Sequence, residues 1–563
     1  MPSYMSPSSH SETESVKYVH TISEAGRLLP SASQWNSIEI DFNLVPQSSS
    51  EYGSLPSRYS KSFEYELIIT DKQYFKRFLY ISVSVVLLIL VLILLVELLP
   101  HKHSRHGSSK NLTLAVNQAL TFFDAQKSGN YPKNSPVKFR GDSGLQDGNS
   151  STPPVHLVGG FYDSGNNMKF TFPTAYTMTL LSWTVIEYHQ KYDDIQELGH
   201  VGIAKNDMSC WERPEDMDYE RPVSICDSSA SDLAGEIVAA LSAASLVFKE
   251  DKDYSGKLVK SAEKLFEVAT KEEPDRQGTY TRSDDACGRE SSSFYNSSGH
   301  TDELVWGGTW LFFATGNVSY LGYATDAFDA AKSNETSIDN GILYWNNKLT
   351  ATAILFTRLQ FFHDLGYPYE NAFGESSEMT DSLMCSYLGQ NWDKTPGGLI
   401  LQRSGNEAQL QFAATASFLS KLYSDYLQVL VRSGVNYILG DNPMKMSYMV
   451  GYGEQYPTQV HHRSASIPWD GNHYSCEEGE RWFKSKDPNP NVVVGAMVGG
   501  PNHFDNFTDE RGQPVFTEAT ISGNAGLVAA LIALHHPPRH ASHDKNGTHL
   551  GLDKTGLFEN ILF

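Results

Sequence analysis

Residues 231–249 read SDLAGEIVAALSAASLVFK, and apolar residues recur along this stretch at intervals of three and four. This spacing places the apolar side chains on one face of an α-helix, because a helix turns once every 3.6 residues. Four more stretches share the pattern: 175–192, 301–317, 410–431 and 523–536. We find no run of alternating strands after residue 109. The sequence therefore predicts an all-α domain.

Chemically useful residues are concentrated between these helices. The connecting stretches hold most of the Gly, Pro, Asp, His and aromatic residues, whereas the helical stretches are apolar. Catalytic residues commonly lie on loops that a rigid scaffold positions. We expect an enzyme whose site is built from loops at one end of a helical scaffold.

The chain has 563 residues and a net charge of −22 at pH 7. This length allows two to four domains, but one large domain is equally compatible with it. An acidic balance argues against nucleic acid as a partner, because phosphate binding requires clustered Lys and Arg. Neutral and cationic ligands remain open.

Residues 78–96 read FLYISVSVVLLILVLILLV, nineteen residues without a charge. That length just spans the hydrocarbon core of a bilayer as a helix. A cleaved signal peptide would have a shorter apolar region near the N-terminus, whereas 77 polar residues precede this one. The sequence predicts a single transmembrane helix over 78–99, followed by a linker over 100–109 that is rich in His and Lys.

The first 77 residues are rich in Ser, Tyr and Pro and show no sustained apolar period. Such a composition predicts a mostly disordered tail, which we place in the cytosol. Two short patterns in it have the form of sorting signals. They are Glu24 with Leu28 and Leu29, and Tyr65 with Ile68.

Seven Asn-x-Ser/Thr glycosylation sequons occur after the apolar span and none before it. This distribution predicts a type II membrane protein, on plasma or secretory and endosomal membranes, whose large C-terminal part is lumenal or extracellular. All five cysteines also follow the span, which allows at most two disulfides, and no metal-ligand spacing such as Cys-x-x-Cys occurs. We expect no metal and no cofactor. The sequon asparagines are Asn111, Asn149, Asn296, Asn317, Asn334, Asn506 and Asn546.

Loops that mix carboxylates with Trp and Tyr on the secretory side of a membrane suit a carbohydrate-active enzyme. Glycoside cleavage needs two carboxyl groups, one as an acid and one as a base or nucleophile. Asp163, in the stretch GGFYDSGNNMKF, is one candidate, and Asp509 and Glu518 precede the last apolar helix. Burial beside Phe516 would raise the pKa of Glu518 toward that of a general acid. The alternative is that Glu518 caps the following helix.

A third loop, residues 447–468, places His461, His462 and Arg463 together beside Tyr452. His and Arg side chains can bind sugar hydroxyls or orient a carboxylate. A structural role for either histidine is the alternative.

These three loops resemble the motifs of family 9 of the glycoside hydrolases, whose first motif reads DLVGGYYDAGD-x-x-KF-x-FP. The resemblance covers nearly all of residues 110–537 and leaves 538–563 as a C-terminal tail. With its tail and membrane span, the chain is most similar to the KORRIGAN-type membrane-anchored endo-1,4-β-glucanases of plants. The resemblance implies an (α/α)6 barrel with an open cleft that cleaves β-1,4-glucan with inversion during cell-wall assembly, with the cellulose-synthesis machinery as a possible partner.

The resemblance also assigns roles to individual residues. Glu518 corresponds to the general acid, and Asp509 to its supporting carboxylate. His461 and Arg463 correspond to residues that bind the sugar at the cleavage point, with Tyr452 beside them. Trp345 corresponds to a sugar-stacking platform, whereas Trp306 and Trp310, at helical spacing, are predicted to lie in the core.

The chain departs from the family pattern at the base. The pattern supplies two acids, of which the first holds the attacking water and the second accepts its proton; here Asp163 occupies the first position and Asn166 the second. An amide can hydrogen-bond a water but cannot accept its proton at neutral pH. One hypothesis is a working hydrolase that relies on Asp163, and the other is a glucan-binding or scaffold protein. Two segments, near 193–209 and 427–436, also look short for the family.

Overall fold

The structure is a computed structural model that divides into two compact units, Met1–Ser109 and Lys110–Phe563. The residues that the structure describes are 14–23, 60–69, 77, 80–81, 83–84, 110–151, 154–188, 210–221, 223–271, 277–281, 288, 291–336, 338–363, 365–388, 392–403, 408–427, 434–535 and 556–561.

The first unit contains an antiparallel pair of strands, β1 (Glu14–Ser23) and β2 (Ser60–Ile69), in which Tyr18 is paired with Tyr65. The sequence-based prediction did not include these strands, and the mostly disordered character of the tail stays a prediction. Alternation of aromatic or aliphatic with polar residues in SFEYELI was the signal for a strand. The rest of the tail lies outside the described residues.

Several membrane-related predictions fall largely outside the described residues. Within the predicted transmembrane helix, residues 80, 81, 83 and 84 are described, and they are helical and exposed. The remainder of 78–99, the linker 100–109, and the sorting residues Glu24, Leu28 and Leu29 are not described. Tyr65 and Ile68 lie in β2.

The second unit is built from helices, as the sequence predicts. The helices are α1 (Leu112–Gln126), α2 (Thr171–Tyr188), α3 (Ser231–Val247), α4 (Lys252–Ala269), α5 (Thr301–Thr315), α6 (Val318–Asn334), α7 (Leu349–Phe362), α8 (Glu370–Leu388), α9 (Gln409–Leu427), α10 (Val435–Ile438), α11 (Arg463–Ser466), α12 (Cys476–Lys484), α13 (Pro514–Thr517) and α14 (Ile521–Leu534). Two short strands, β3 (Asp393–Lys394) and β4 (Ile400–Leu401), form an antiparallel pair.

Six helices form a closed inner ring. In order around the ring they are α2, α3, α5, α7, α9 and α14, and α14 packs back against α2. The outer helices α1, α4, α6 and α8 pack against α14, α3, α5 and α7 respectively. This arrangement confirms the prediction of an (α/α)6 barrel. An outer helix between α2 and α3 would fall within residues 189–209, which are not described.

Glycines in α3 and α5 set how closely these two inner helices approach. A Cβ atom on Gly235 would lie 2.5 Å from the carbonyl oxygen of Glu303, and one on Gly307 would lie 2.7 Å from that of Gly235. Both distances are shorter than any side chain tolerates, so only glycine allows α3 and α5 to pack this closely.

Aromatic side chains fill the centre of the ring. Trp183, Trp306 and Trp310 are buried and contact one another edge to face, with ring centroids 5.5 to 6.0 Å apart. Edge-to-face contacts are favourable because the positive ring edge meets the negative ring face. The prediction that Trp306 and Trp310 belong to the core is confirmed.

One stretch of the described residues, Pro514–Leu534, is long and apolar enough to cross a membrane. Most of it is buried inside the barrel, and it contains the inner helix α14. Burial against other helices explains its apolar composition without a membrane.

The boundary predicted at residue 537 excludes part of the core. Leu557 and Phe558 are buried, and the ring of Phe558 packs against that of Phe313 in α5, with the ring centroids 6.0 Å apart. The helical unit therefore includes residues 556–561, which sequence periodicity could not link to the barrel because the segment is short.

A disulfide joins Cys210 to Cys476, 266 residues apart in sequence. Cys226 is also disulfide-bonded, and Cys385 is free and exposed. Glu212 lies close enough to Cys210 and Cys476 for the three to hold a metal ion. The two sulfur atoms are bonded to each other in the disulfide, so neither is a thiolate ligand.

Candidate active site

The loop that contains Asp163 is anchored by a buried ion cluster at its two ends. Asp147 accepts from Lys169 Nζ at 2.7 Å and from Arg221 Nε at 2.7 Å, and all three residues are buried. Lys169 Nζ also donates to the carbonyl oxygen of Gly159 at 2.7 Å. Burial lowers the pKa of Lys169 to about 8, although Asp147 opposes this shift. The cluster holds both ends of the 159–169 segment in place.

The middle of this loop packs against the histidine loop without space for a side chain. A Cβ atom on Gly165 would lie 1.8 Å from the carbonyl oxygen of His461. The backbone N–H of Arg463 donates to the carbonyl oxygen of Gly165 at 3.0 Å. The close contact requires glycine at this position and fixes one catalytic loop relative to the other.

The Asp163 loop lines a cleft of about 250 Å³ together with residues from other parts of the chain. Its polar groups come from three separate parts of the chain and its apolar groups include three aromatic rings. The lining residues are Asp163, Ser164, Asn166, Phe294, Tyr295, Trp345, Ala408, Gln411, Met497, Val498, Gly499, Glu518, Thr520, Ser522 and Gly523.

Asp163 is buried at the cleft, and its two carboxyl oxygens differ. Oδ2 accepts a hydrogen bond from the Tyr295 hydroxyl at 2.7 Å, whereas Oδ1 has no hydrogen-bond partner among the described residues. Burial raises the pKa of Asp163 to about 7; the Tyr295 hydrogen bond opposes this shift, and the negative charge of Glu518 adds to it. One oxygen is thus hydrogen-bonded, and the other is a buried acceptor without a partner among the described residues.

Asn166 also lines the cleft, but its amide is engaged within the loop. Oδ1 accepts from the backbone N–H of Met168 at 3.0 Å, and Nδ2 donates to Ser164 Oγ at 2.7 Å. Both ends of the amide therefore stabilise the turn. The side chain that replaces the expected base forms part of the loop architecture.

Glu518 lies at the end of the short helix α13 and is partly exposed to the cleft. Its Oε1 accepts from Ser164 Oγ at 2.6 Å. The following helix α14 is capped by Thr520, whose side chain accepts from the backbone N–H of Gly523. The alternative that Glu518 caps this helix is therefore wrong.

His461 lies beside the cleft and is held by its δ nitrogen. Nδ1 lies 2.7 Å from the carbonyl oxygen of Arg511, which can only accept, so Nδ1 carries the proton. Burial lowers the pKa of His461, and the negative charge of Glu518 opposes this shift. The ring is consequently neutral at pH 7, with a lone pair on Nε2 that can accept a hydrogen bond.

His462 has a structural role. Its Nδ1 accepts from the backbone N–H of Ala465 at 3.2 Å, and its Nε2 lies 2.8 Å from Gln126 Oε1. Gln126 in turn donates to the carbonyl oxygens of Tyr162 and Ser164. Burial lowers the pKa of His462 to about 3, so the ring is neutral and joins the two catalytic loops.

Two predicted substrate-binding residues are instead engaged with the protein. Arg463 is 2% exposed and donates to the carbonyl oxygens of Cys210 and Gly165. Tyr452 is 8% exposed and packs in the main hydrophobic core. Both side chains are buried, and their predicted contact with sugar stays a prediction.

Asp509 supports the histidine loop and does not line the cleft. Its Oδ2 accepts from the backbone N–H and the hydroxyl of Thr458, and its Oδ1 accepts from the backbone N–H of Gln459. These contacts fix the turn two residues before His461. Asp509 thus supports the backbone of that turn, and its predicted role as the supporting carboxylate of Glu518 stays a prediction.

Trp345 lines the cleft, as predicted for a stacking platform. Its ring contacts Tyr295 edge to face, with centroids 4.9 Å apart, and also contacts Phe172. These neighbours hold the indole ring in place, and its partly exposed surface is available to a ligand.

Sequence reasoning missed two groups that contact the catalytic carboxyls. Tyr295 donates to Asp163, and Ser164 donates to Glu518. Tyr295 lies in the aromatic and polar loop before α5, which was a general signal for the working surface, but nothing in the sequence links it to Asp163. Ser164 could have been noticed because it replaces an alanine of the family pattern.

The sequon asparagines are accessible to modification wherever the structure describes them. Six of them are exposed: Asn111, Asn149, Asn296, Asn317, Asn334 and Asn506. Asn546 lies outside the described residues. Exposure is a requirement for glycosylation, and whether glycans are attached stays a prediction.

A helical barrel with a cleft lined by a buried aspartate, a glutamate and aromatic rings defines the glycoside hydrolase class. The family model for glycosyl hydrolase family 9 matches residues 113–201 and 196–531. The chain belongs to this family. The two matched segments overlap at residues 196–201, within the segment near 193–209 that we expect to be short for the family.

Relatives with similar sequences are plant proteins. The chain is 42% identical to Endoglucanase 25 of Arabidopsis thaliana, over 78% of this chain and 80% of that protein. It is 40% identical to Endoglucanase 10 of Oryza sativa subsp. japonica, over 83% of each.

Solved structures share the fold. The endoglucanase of the termite Nasutitermes takasagoensis is 31% identical and aligns with a TM-score of 0.64, over 76% of this chain and 99% of that one. The cellulase Cel9M of C. cellulolyticum, in complex with cellobiose, is 25% identical and aligns with a TM-score of 0.62, over the same shares.

Proposed function

We propose that this protein is an endo-1,4-β-glucanase that hydrolyses internal bonds of β-1,4-glucan with inversion. The observation that carries the proposal is that Asp163 and Glu518 line one cleft and that Asp163 Oδ1 has no partner among the described residues. A base and an acid are the two groups that direct hydrolysis of a glycoside requires.

In this mechanism Glu518 protonates the glycosidic oxygen while Asp163 accepts a proton from the attacking water. A pKa raised to about 7 makes ionised Asp163 a stronger base than an ordinary aspartate. His461 Nε2 can accept a hydrogen bond from a sugar hydroxyl near Glu518. The family pattern, with its acid at the position of Glu518, supports the role of Glu518, whereas the role of Asp163 as proton acceptor rests on its place in the cleft.

The substrate class is inferred from the cleft walls and from the relatives. Trp345, Tyr295 and Phe294 offer ring surfaces, on which sugar rings can stack. The relatives carry the name endoglucanase, and the Cel9M structure contains cellobiose. A β-1,4-linked glucose chain is the ligand that fits both observations.

We further infer that the protein is a single-pass type II membrane protein that acts in plant cell-wall assembly, with the cellulose-synthesis machinery as a partner. The uncharged span over residues 78–96 and the exposed sequons that follow it support this placement. Glycosidase treatment of the membrane fraction should lower the apparent mass, and alkaline carbonate should not extract the protein. Release by carbonate would contradict the anchor.

The activity is tested with the full chain in detergent and a soluble substituted cellulose as substrate. Wild type should lower the viscosity of the solution much faster than it releases reducing ends, because internal cleavage shortens chains most. Asp163→Asn and Glu518→Gln should each lose about 10²- to 10⁴-fold in kcat. If wild type binds the glucan without cleaving it, the scaffold hypothesis replaces the enzyme.

A further inference from the structure

The orientation of the Asn166 amide is determined by its neighbours. Its Oδ1 lies 3.0 Å from the backbone nitrogen of Met168, which can only donate. Nδ2 must therefore be the atom that faces Ser164 Oγ, at 2.7 Å, and it can only donate. Ser164 accepts this hydrogen bond, which leaves its own proton for another partner.

That partner is the carboxyl group of Glu518. Ser164 Oγ lies 2.6 Å from Glu518 Oε1, and Ser164 is buried. A hydroxyl has a single proton, so a donated bond from Asn166 directs that proton toward Glu518. Hydrogen bonds to an ionised acceptor are the stronger ones, so this contact strengthens as Glu518 gives up its proton.

We propose that Ser164 is a positioning residue for the general acid, and that Asn166 acts in catalysis by orienting Ser164. The inference rests on the proposed function. Asn166 therefore assists Glu518, which acts on the leaving group. In the family pattern, the residue at this position acts on the attacking water instead. Asp163 alone serves the water.

The restraint also selects which oxygen of Glu518 delivers the proton. Oε1 is occupied by the Ser164 hydroxyl, so Oε2 is the oxygen that carries the catalytic proton to the glycosidic oxygen. The family pattern has alanine at position 164, and alanine cannot donate such a bond. The restraint of Glu518 therefore depends on the combination of Ser164 and Asn166 in this chain.

Leaving-group dependence tests the proposal. General acid assistance matters for glycosides whose leaving group needs a proton and matters little for those that leave as a stable anion. The full chain in detergent is assayed on phenyl and 2,4-dinitrophenyl β-cellobiosides. Ser164→Ala should lower kcat about 10- to 100-fold on the phenyl substrate, as expected for a lost charge-assisted hydrogen bond, and less than about threefold on the dinitrophenyl substrate.

A double-mutant cycle tests whether Asn166 acts on Glu518 through Ser164. Asn166→Ala should lower phenyl cellobioside turnover in the same direction as Ser164→Ala but by less. The double variant should resemble Ser164→Ala alone, because both residues act on the same carboxyl group. Ser242→Ala is the matched control, since that hydroxyl is buried in α3 and has no hydrogen-bond partner among the described residues.

The outcomes separate this inference from the proposed function. Equal losses on both substrates would show that Ser164 only maintains the loop and would overturn the inference, as would additive effects of the two substitutions. If Ser164→Ala does not fold, Asn166→Ala carries the leaving-group comparison by itself. Failure of wild type to cleave either substrate, or cellulose, would refute the proposed function instead.

Discussion

The hydroxyl of Tyr295 donates a hydrogen bond to Asp163 Oδ2 at 2.7 Å. The two residues are 132 positions apart in sequence, yet their contact decides the chemistry of the candidate base. It leaves Oδ1 as the oxygen for the attacking water, and it partly offsets the effect of burial on the pKa of Asp163.

Replacing Tyr295 by Phe should move the acid limb of the pH profile of kcat/KM to higher pH. In wild type this limb should lie near pH 7, because Asp163 must lose its proton to act as the base and its pKa is about 7. Tyr295 lowers that pKa, so its removal should raise it further. Tyr320→Phe is the control, since this hydroxyl contacts Glu263 at 3.2 Å between outer helices. An acid limb that stays in place would contradict the role of Asp163.

Asn166→Asp should increase kcat at pH 7 by about 10- to 100-fold, because it restores a carboxylate at the expected base position. The gain should remain below the full value of a general base. The ionised carboxylate introduced by this substitution cannot donate to Ser164, and it would compete with Glu518 for the Ser164 proton. Steady-state rates on soluble substituted cellulose provide the measurement. An unchanged or lower rate would contradict this prediction and would show that the lost hydrogen bond from Asn166 to Ser164 outweighs the added carboxylate.

Trp345→Ala and Tyr452→Ala should have opposite kinds of effect. Trp345 lines the cleft, so its loss should raise KM for cello-oligosaccharides. The expected increase is about tenfold, which corresponds to about the free energy of one aromatic contact. Tyr452 belongs to the core, so its loss should lower the free energy of unfolding by about 3–5 kcal/mol. Steady-state kinetics and denaturant unfolding distinguish them. A larger KM effect from Tyr452 would restore its predicted role in binding.

Asp147→Asn should destabilise the protein strongly, although Asp147 does not line the cleft. The substitution leaves Lys169 and Arg221 buried without their shared carboxylate, which typically costs about 3–5 kcal/mol. Asp326→Asn, at an exposed position on α6, should change stability by less than about 0.5 kcal/mol. Thermal unfolding followed by circular dichroism measures both. Equal midpoints for the two variants would refute the anchoring role of Asp147.

Much of the fold was predictable because helical periodicity is a local property. The stretches at 231–249 and 301–317 each contain the inner helix that their apolar spacing indicates, and the stretch at 523–536 contains all but the first two residues of α14. The packed segment at 556–561 and the strand pairing of the tail were missed. The first is too short to show a period, and the second showed its alternation only in β2.

The candidate site was predictable where a motif names a residue and unpredictable where contacts assign its role. Asp163, Glu518 and Trp345 line the cleft as expected, whereas Arg463 and Tyr452 are buried against other parts of the chain. Burial of an individual side chain depends on which loops pack together, and no local pattern encodes that.

The sequence by itself determined the helical scaffold, the family resemblance and the substitution of Asn166 for a carboxylate, because each is written in consecutive residues. Only the tertiary structure decided what that substitution does. The loop that contains Ser164 and Asn166 meets Glu518, 354 residues after Ser164 in the chain, and the hydrogen bond between Ser164 and Glu518 exists only where those segments pack. Hydrogen bonds act over about 3 Å, so their partners are set by packing and not by position in the sequence.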